Sequence, residues 1–191
     1  MKVITFDIET SNIFQEVGSN DATDLDLSVV CIHDSETGEY SSYTQEQLSD
    51  LWPILEKTDI LVGYNSDHFD VPLLNKYCPN DLNKIKSLDL LKEIRASLGR
   101  RIKLDDVAKA TLGESKSADG LLAVKWWREG QHQKVIDYCI QDVKVTRDVY
   151  DYAIKNGHLK WNNGSETTEI PLDTTNWEKL EDSAEEAPTL F

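Results

Sequence analysis

The chain has 191 residues, 39% of them apolar, and a formal net charge of −15 at pH 7; this is enough for one core, and no apolar run approaches the ~20 residues of a membrane span. Three cysteines, Cys31, Cys78 and Cys139, lie far apart with no C-x-x-C spacing, which argues against a disulfide framework and a zinc cluster and suits a reducing compartment. With no signal-peptide pattern at the Met1-Lys2 start, the expected location is cytoplasmic, with no membrane partner.

The charge is uneven. Residues 1–83 carry 3 basic and 16 acidic side chains, residues 84–160 carry 16 and 11, and residues 161–191 carry 1 and 8. Phosphate binding runs on Lys and Arg, so the basic middle is where a polyanion could be held; scattered solvated charge is the alternative reading.

In chain order, Lys2 to Ile8 is an apolar strand that ends in Asp7-Ile8-Glu9-Thr10. Successive strand side chains alternate in direction, so Asp7 and Glu9 share one face while Phe6 and Ile8 point into the core. Ser11 to Asp24 is polar and reads as a loop. Leu27 to Ile32, a turn at Gly38 and the alternating Glu39 to Tyr43 read as strand, hairpin, strand. Leu48, Leu51, Trp52 and Leu55 recur at helical spacing behind Thr44, with Pro53 inside. Asp59 to Gly63 is a short buried strand, followed by Asn65 and a helix over about 70–77.

A strand near Ile85 to Leu88 then leads to a helix from about Asp89 to Leu98, and Arg95, Arg100, Arg101 and Lys103 crowd its end. Two apolar stripes, closed by Gly113 and Gly130, mark further helices. The longest helix is predicted over His132 to Lys155, its inner side carrying Val135, Cys139, Val143, Thr146 and Val149. From Trp161 onward the chain is polar and acidic, so residues 1–160 are expected to form the domain and 161–191 a loosely packed, flexible tail. This order of strands and helices predicts an α/β fold.

Two more acids occupy unusual settings. Asp70 stands between an apolar strand and a helix start, where capping is the plain explanation, and Asp142 lies four residues after Tyr138 on the inner side of the long helix. Phe6-Asp7-Ile8-Glu9-Thr10, Asn65-x-x-x-Phe69-Asp70 and Tyr138-x-x-x-Asp142 resemble, in this order, the three exonuclease motifs of the DEDD superfamily. The resemblance covers Lys2 to about Lys155. It implies a ribonuclease H-like fold, a central mixed β-sheet with helices on both faces. A histidine-type member carries His five residues before the last acid; that position is Asp137 here, so the chain resembles the tyrosine branch, and most nearly the proofreading exonuclease domain of B-family DNA polymerases.

The resemblance implies a 3'-5' exonuclease on single-stranded nucleic acid, DNA being favoured, with RNA trimming or a silent binding module as alternatives. Asp7, Glu9, Asp70 and Asp142 would hold two Mg²⁺ or Mn²⁺ ions, hard cations that suit oxygen ligands. A tyrosine, with a reference pKa near ~10, is a poor base at neutral pH, so Tyr138 is expected to orient the attacking water. Asn65 and Phe69 would support the site, the backbone N–H of Thr10 would meet the terminal nucleotide, and Arg100 and Arg101 would contact phosphate. His33, His68, His132 and His158 are scattered and assigned no role, and Asp67 and Asp89 match no motif position. The terminal Leu190-Phe191, after an acidic run, resembles motifs that enter a sliding clamp or contact single-stranded-DNA-binding proteins.

Overall fold

The computed structural model describes residues 1–113, 120–164 and 166–180. Its centre is a five-stranded sheet of β1 (Val3–Thr10), β2 (Leu27–Asp34), β3 (Tyr40–Thr44), β4 (Ile60–Gly63) and β5 (Lys86–Asp89) in the order β3-β2-β1-β4-β5. β1, β2 and β3 pair antiparallel with one another, whereas β4 runs parallel to β1 and β5 parallel to β4, so the sheet is mixed. The helices are α1 (Phe14–Val17), α2 (Leu48–Leu55), α3 (Asp70–Asn75), α4 (Leu90–Leu98), α5 (Leu104–Leu112), α6 (Gly120–Arg128) and α7 (His132–Asn156). A second sheet pairs β6 (His158–Asn163) with β7 (Glu166–Pro171).

Strand parity explains the layering. Ile4, Phe6 and Ile8 of β1 share a face with Val30, Ile32 and Leu61, and that face is covered by Leu48, Leu51 and Leu55 of α2 and Leu73 and Leu74 of α3. Val3, Val29, Cys31, Ile60 and Val62 point the other way, where Val135, Val143, Val145 and Val149 of α7 meet them. With both faces covered, the strands read as nearly continuous apolar runs rather than alternating ones. At 25 residues, α7 is about 37 Å long at 1.5 Å per residue and crosses β1, β2, β3 and β4. Asp7 and Glu9 therefore face a helix, not open solvent.

Two expectations are corrected. The polar stretch after β1 contains α1, a single turn capped by Gly18 in the left-handed region (φ 67°). The expected loose tail gives way over residues 161–180: Leu159, Ile170 and Trp177 are buried in the same cluster as Val149 and Ala153, and Trp177 stacks on Tyr150 at 6.1 Å. The hairpin has few apolar residues, but these few join the cluster that α4, α5 and α7 form, among outer positions that are acidic and polar. The Leu190-Phe191 contact lies outside the described residues, and among those residues no helix is long and apolar enough to cross a membrane.

Ile170 is fully buried, so Ile170→Ala should lower stability by roughly 2–5 kcal/mol, the usual result of deleting a core aliphatic side chain. Urea unfolding checks this, and an unchanged midpoint would return residues 161–180 to the periphery.

Candidate active site

The site forms where β1 outruns its neighbour. β4 pairs with β1 only at Val3, Ile4 and Thr5, and ends at Gly63. Beyond that point the β1 edge needs another acceptor, and Asp70, the first residue of α3, supplies one: its Oδ1 accepts the Ile8 N–H at 3.2 Å. Asp7 and Glu9, half-buried on the adjoining face of the strand, meet Asp142 of α7, which is only 3% exposed. One oxygen from each of these three carboxylates lies within 4.8 Å of the others. Asp7, Glu9, Asp70, Asp142 and Tyr138 all line one cleft of about 450 Å³. A larger groove of about 990 Å³, lined by Trp52, Leu55, Lys84 and Ile85 among others, contains none of these five residues.

Asp70 titrates far from the ordinary carboxylate range. Burial pushes its carboxyl up to about 7; the Ile8 hydrogen bond opposes that shift, and the nearby Asp89 and Asp142 add to it. Like charges about 4 Å apart repel by roughly 4 kcal/mol at an effective dielectric near 20, so such a group of acids takes up a proton or a cation. The donor set is all oxygen and carries up to four negative charges, which fits a hard divalent cation and not zinc in a thiolate site.

The loop that delivers Asp70 is held by a residue that motif matching passed over. Asp89 is buried and caps α4, its Oδ1 accepting from Leu91 N at 2.9 Å, yet it also takes Asn65 N at 2.8 Å on Oδ1 and Asp67 N at 3.3 Å on Oδ2. Asn65 has φ 66°, a left-handed conformation that asparagine tolerates better than most residues. A Cβ on Gly63 would lie 2.4 Å from Ser66 Cβ, so only glycine lets the chain turn this tightly. The signal in the sequence was an aspartate directly before a helix, the ordinary mark of an N-cap.

The supporting residues divide. Asn65, Phe69 and Thr10 line the cleft; Phe69 meets Phe14 edge-on at 6.0 Å, and the Thr10 hydroxyl donates to the Asn12 carbonyl at 2.8 Å. Arg101 reaches the rim, where its Nη2 donates to Asn65 Oδ1 at 2.6 Å. Arg100 does not: its guanidinium lies over the Trp161 ring of the β6-β7 hairpin at 4.7 Å. Tyr138 is buried, with its ring edge-on to Trp126 at 6.3 Å. Asp137, on the preceding helical position, is exposed and accepts a hydrogen bond from Gln133. None of the four histidines lines the cleft. Arg128, also unforeseen, ties α6 to the α1 loop through Glu16 and the Ser11 carbonyl, and both segments border the cleft.

A family model of the RNase H superfamily matches residues 4–154, most of the chain. The chain belongs to the RNase H superfamily. Members of that superfamily are mostly nucleases and typically use divalent metals, in keeping with the acidic cluster. Among solved structures, the family B DNA polymerase of the hyperthermophilic archaeon Pyrobaculum calidifontis is similar in fold, with a TM-score of 0.63 and 19% identity over 81% of this chain. The chain spans 24% of that polymerase. No curated protein matches it in sequence.

The displaced Asp70 titration gives a pH dependence with a definite sign. In chelator, the native state keeps a proton on Asp70 that the unfolded chain releases near pH ~4. Stability should therefore fall, by on the order of a few kcal/mol, as pH rises from ~4 through about 7. Asp70→Asn should flatten that slope. Urea midpoints across pH 4–8 check it, and an equal slope in the variant would remove Asp70 as its source.

Proposed function

We propose that this chain is a metal-dependent 3'-5' exonuclease of the tyrosine type, acting on single-stranded DNA ends. The observation that carries the reading is the meeting of Asp7, Glu9, Asp70, Asp142 and Tyr138, from three separate elements, in one cleft. The tyrosine type is supported by Tyr138 lining the cleft while Asp137 points to solvent. DNA is favoured by the fold likeness to a DNA polymerase.

Asp7, Glu9, Asp70 and Asp142 would hold two Mg²⁺ or Mn²⁺ ions, which supply Lewis acidity toward the phosphate oxygens and make water more acidic. The chain's own residues then have distinct tasks. The carboxylates fix where positive charge sits relative to the phosphate. The Tyr138 hydroxyl, anchored by the packed ring, orients the attacking water along the line of displacement. Phe14, Phe69 and Leu121 offer apolar walls on which terminal bases can lie. Arg101 at the rim supplies local positive charge for the backbone, which an acidic protein needs.

Degradation of 5'- and 3'-labelled DNA and RNA oligonucleotides, single- and double-stranded, with Mg²⁺, Mn²⁺ or chelator tests each part. Stepwise loss from the 3' end of single-stranded DNA, abolished by chelator, is the expected result. Faster RNA trimming would reassign the substrate, and inertness on every substrate would leave a silent binding module. Asp7→Ala and Asp142→Ala should each abolish cleavage while melting in chelator at or above the wild-type temperature, because removing one acid relieves repulsion. Tyr138→Phe should lower kcat and spare metal binding; unchanged turnover would remove Tyr138 from the mechanism.

A further inference from the structure

Cys139 follows Tyr138 on α7 and is fully buried, in a cluster with Val29, Cys31, Val135 and Val143. Its Sγ lies 3.4 Å from the carbonyl oxygen of Asp7 and 3.6 Å from Asp7 Oδ2. One S–H is thus shared between the backbone and the carboxylate of the same residue, which fixes that side chain relative to its own strand. Cys31 is the cross-strand partner of Asp7, and its own Sγ reaches the Ile136 carbonyl at 3.8 Å. The thiol pair therefore fills the dry layer between β1, β2 and α7, directly beneath the acidic cluster.

A thiol buried in apolar surroundings keeps its proton at neutral pH, so Cys139 is a donor beside the Asp7 carboxylate. The chemistry of the donor matters. An ammonium or guanidinium here would neutralise Asp7 and compete with a cation, whereas a weak S–H donor orients the oxygen and leaves its charge available. Groups behind the ligands of a metal site commonly set ligand orientation in this way.

We propose that Cys139 is a positioning residue for the acidic cluster: from the buried side, its S–H holds the Asp7 carboxylate in the orientation that meets Glu9 and Asp142. The proposal rests on the metal-site reading above. It assigns a task to the S–H of this residue beyond the packing of its sulfur in the apolar layer.

Mn²⁺ titration of the full chain without nucleic acid, followed by the electron paramagnetic resonance of free Mn²⁺, tests it in the wild type, Cys139→Ala and Cys139→Ser. Alanine and serine leave nearly the same space, so the difference between them isolates the donor. Cys139→Ala should weaken Mn²⁺ binding about tenfold or more, as loss of such a supporting group typically does, and Cys139→Ser should recover most of it. With a labelled oligonucleotide, Cys139→Ala should lower kcat/KM at subsaturating metal, and saturating metal should restore it. Wild-type Mn²⁺ affinity in Cys139→Ala overturns the proposal, as does equal weakening in the two variants. Absence of Mn²⁺ binding by the wild type would instead sink the metal-site reading, and this proposal with it.

Discussion

The constraint on which the rest of the structure depends is carboxylate repulsion at the end of β1. That strand must place Asp7 and Glu9 on one face, receive Asp142 from α7 within 4.8 Å, and leave its open edge to Asp70. Each close pair is unfavourable by a few kcal/mol in a partly buried setting, so the acids hold together only because the surrounding structure over-determines them. Val3, Ile4, Phe6 and Ile8 lock β1 between two apolar layers, and the length mismatch between β1 and β4 opens the edge that Asp70 completes. Stability and the chemistry of the site are in opposition here, as they commonly are where charge is concentrated for function.

The devices that hold this arrangement differ in strength according to burial. Asp89 is buried and accepts backbone N–H groups from Asn65 and Asp67 as well as from its own helix, and hydrogen bonds to a buried charge are among the stronger ones a protein makes. Its loss would free the 63–67 turn and let Asp70 drift from Ile8. The Arg128 contact with Glu16 has bidentate geometry but lies at the surface, where ion pairs contribute little. Its effect is on geometry: it joins two segments that border the cleft. Arg101 and Asn65 link the rim to the loop that Asp89 anchors, so one buried acid supports both Asp70 and a rim cation.

Much of this was legible in the residues. Apolar runs and periodicity mark β1, β2, β4 and α7; strand parity pairs Asp7 with Glu9, the i,i+4 spacing pairs Tyr138 with Asp142, Asp70 stands out at a helix start, and the motif resemblance joins the five. What escaped reading was whatever depends on contacts distant in sequence. Asp89 matches no motif position, and its bonds to the 65–67 loop cross more than 20 residues of chain. The hairpin of β6 and β7 carries its few apolar residues among acidic and polar ones, so composition pointed to a loose tail while Ile170 and Trp177 were completing the core. Arg100 and Arg101 are adjacent and alike on paper, and only the position of Trp161 separates them. Cys139 carried no motif signal, since its neighbour Asp7 lies 132 residues away.

The distribution of charge imposes an order on binding under the proposed function. A chain of net charge −15 with four carboxylates lining its cleft presents a negative potential to an incoming phosphate. Arg101 at the rim offsets only part of that, and Arg100 is held elsewhere. Bound divalent cations are the largest local charges in such a site and reverse its sign. The phosphate of a strand end is therefore accepted well only when cations occupy the acids, and by thermodynamic linkage a bound strand must tighten cation binding by the same factor. A proton on Asp70 is the competitor in that exchange, since its carboxyl titrates near 7 without a cation. Under that function, proton release, cation uptake and strand binding would form one coupled equilibrium, set by the same crowding of acids that β1 imposes.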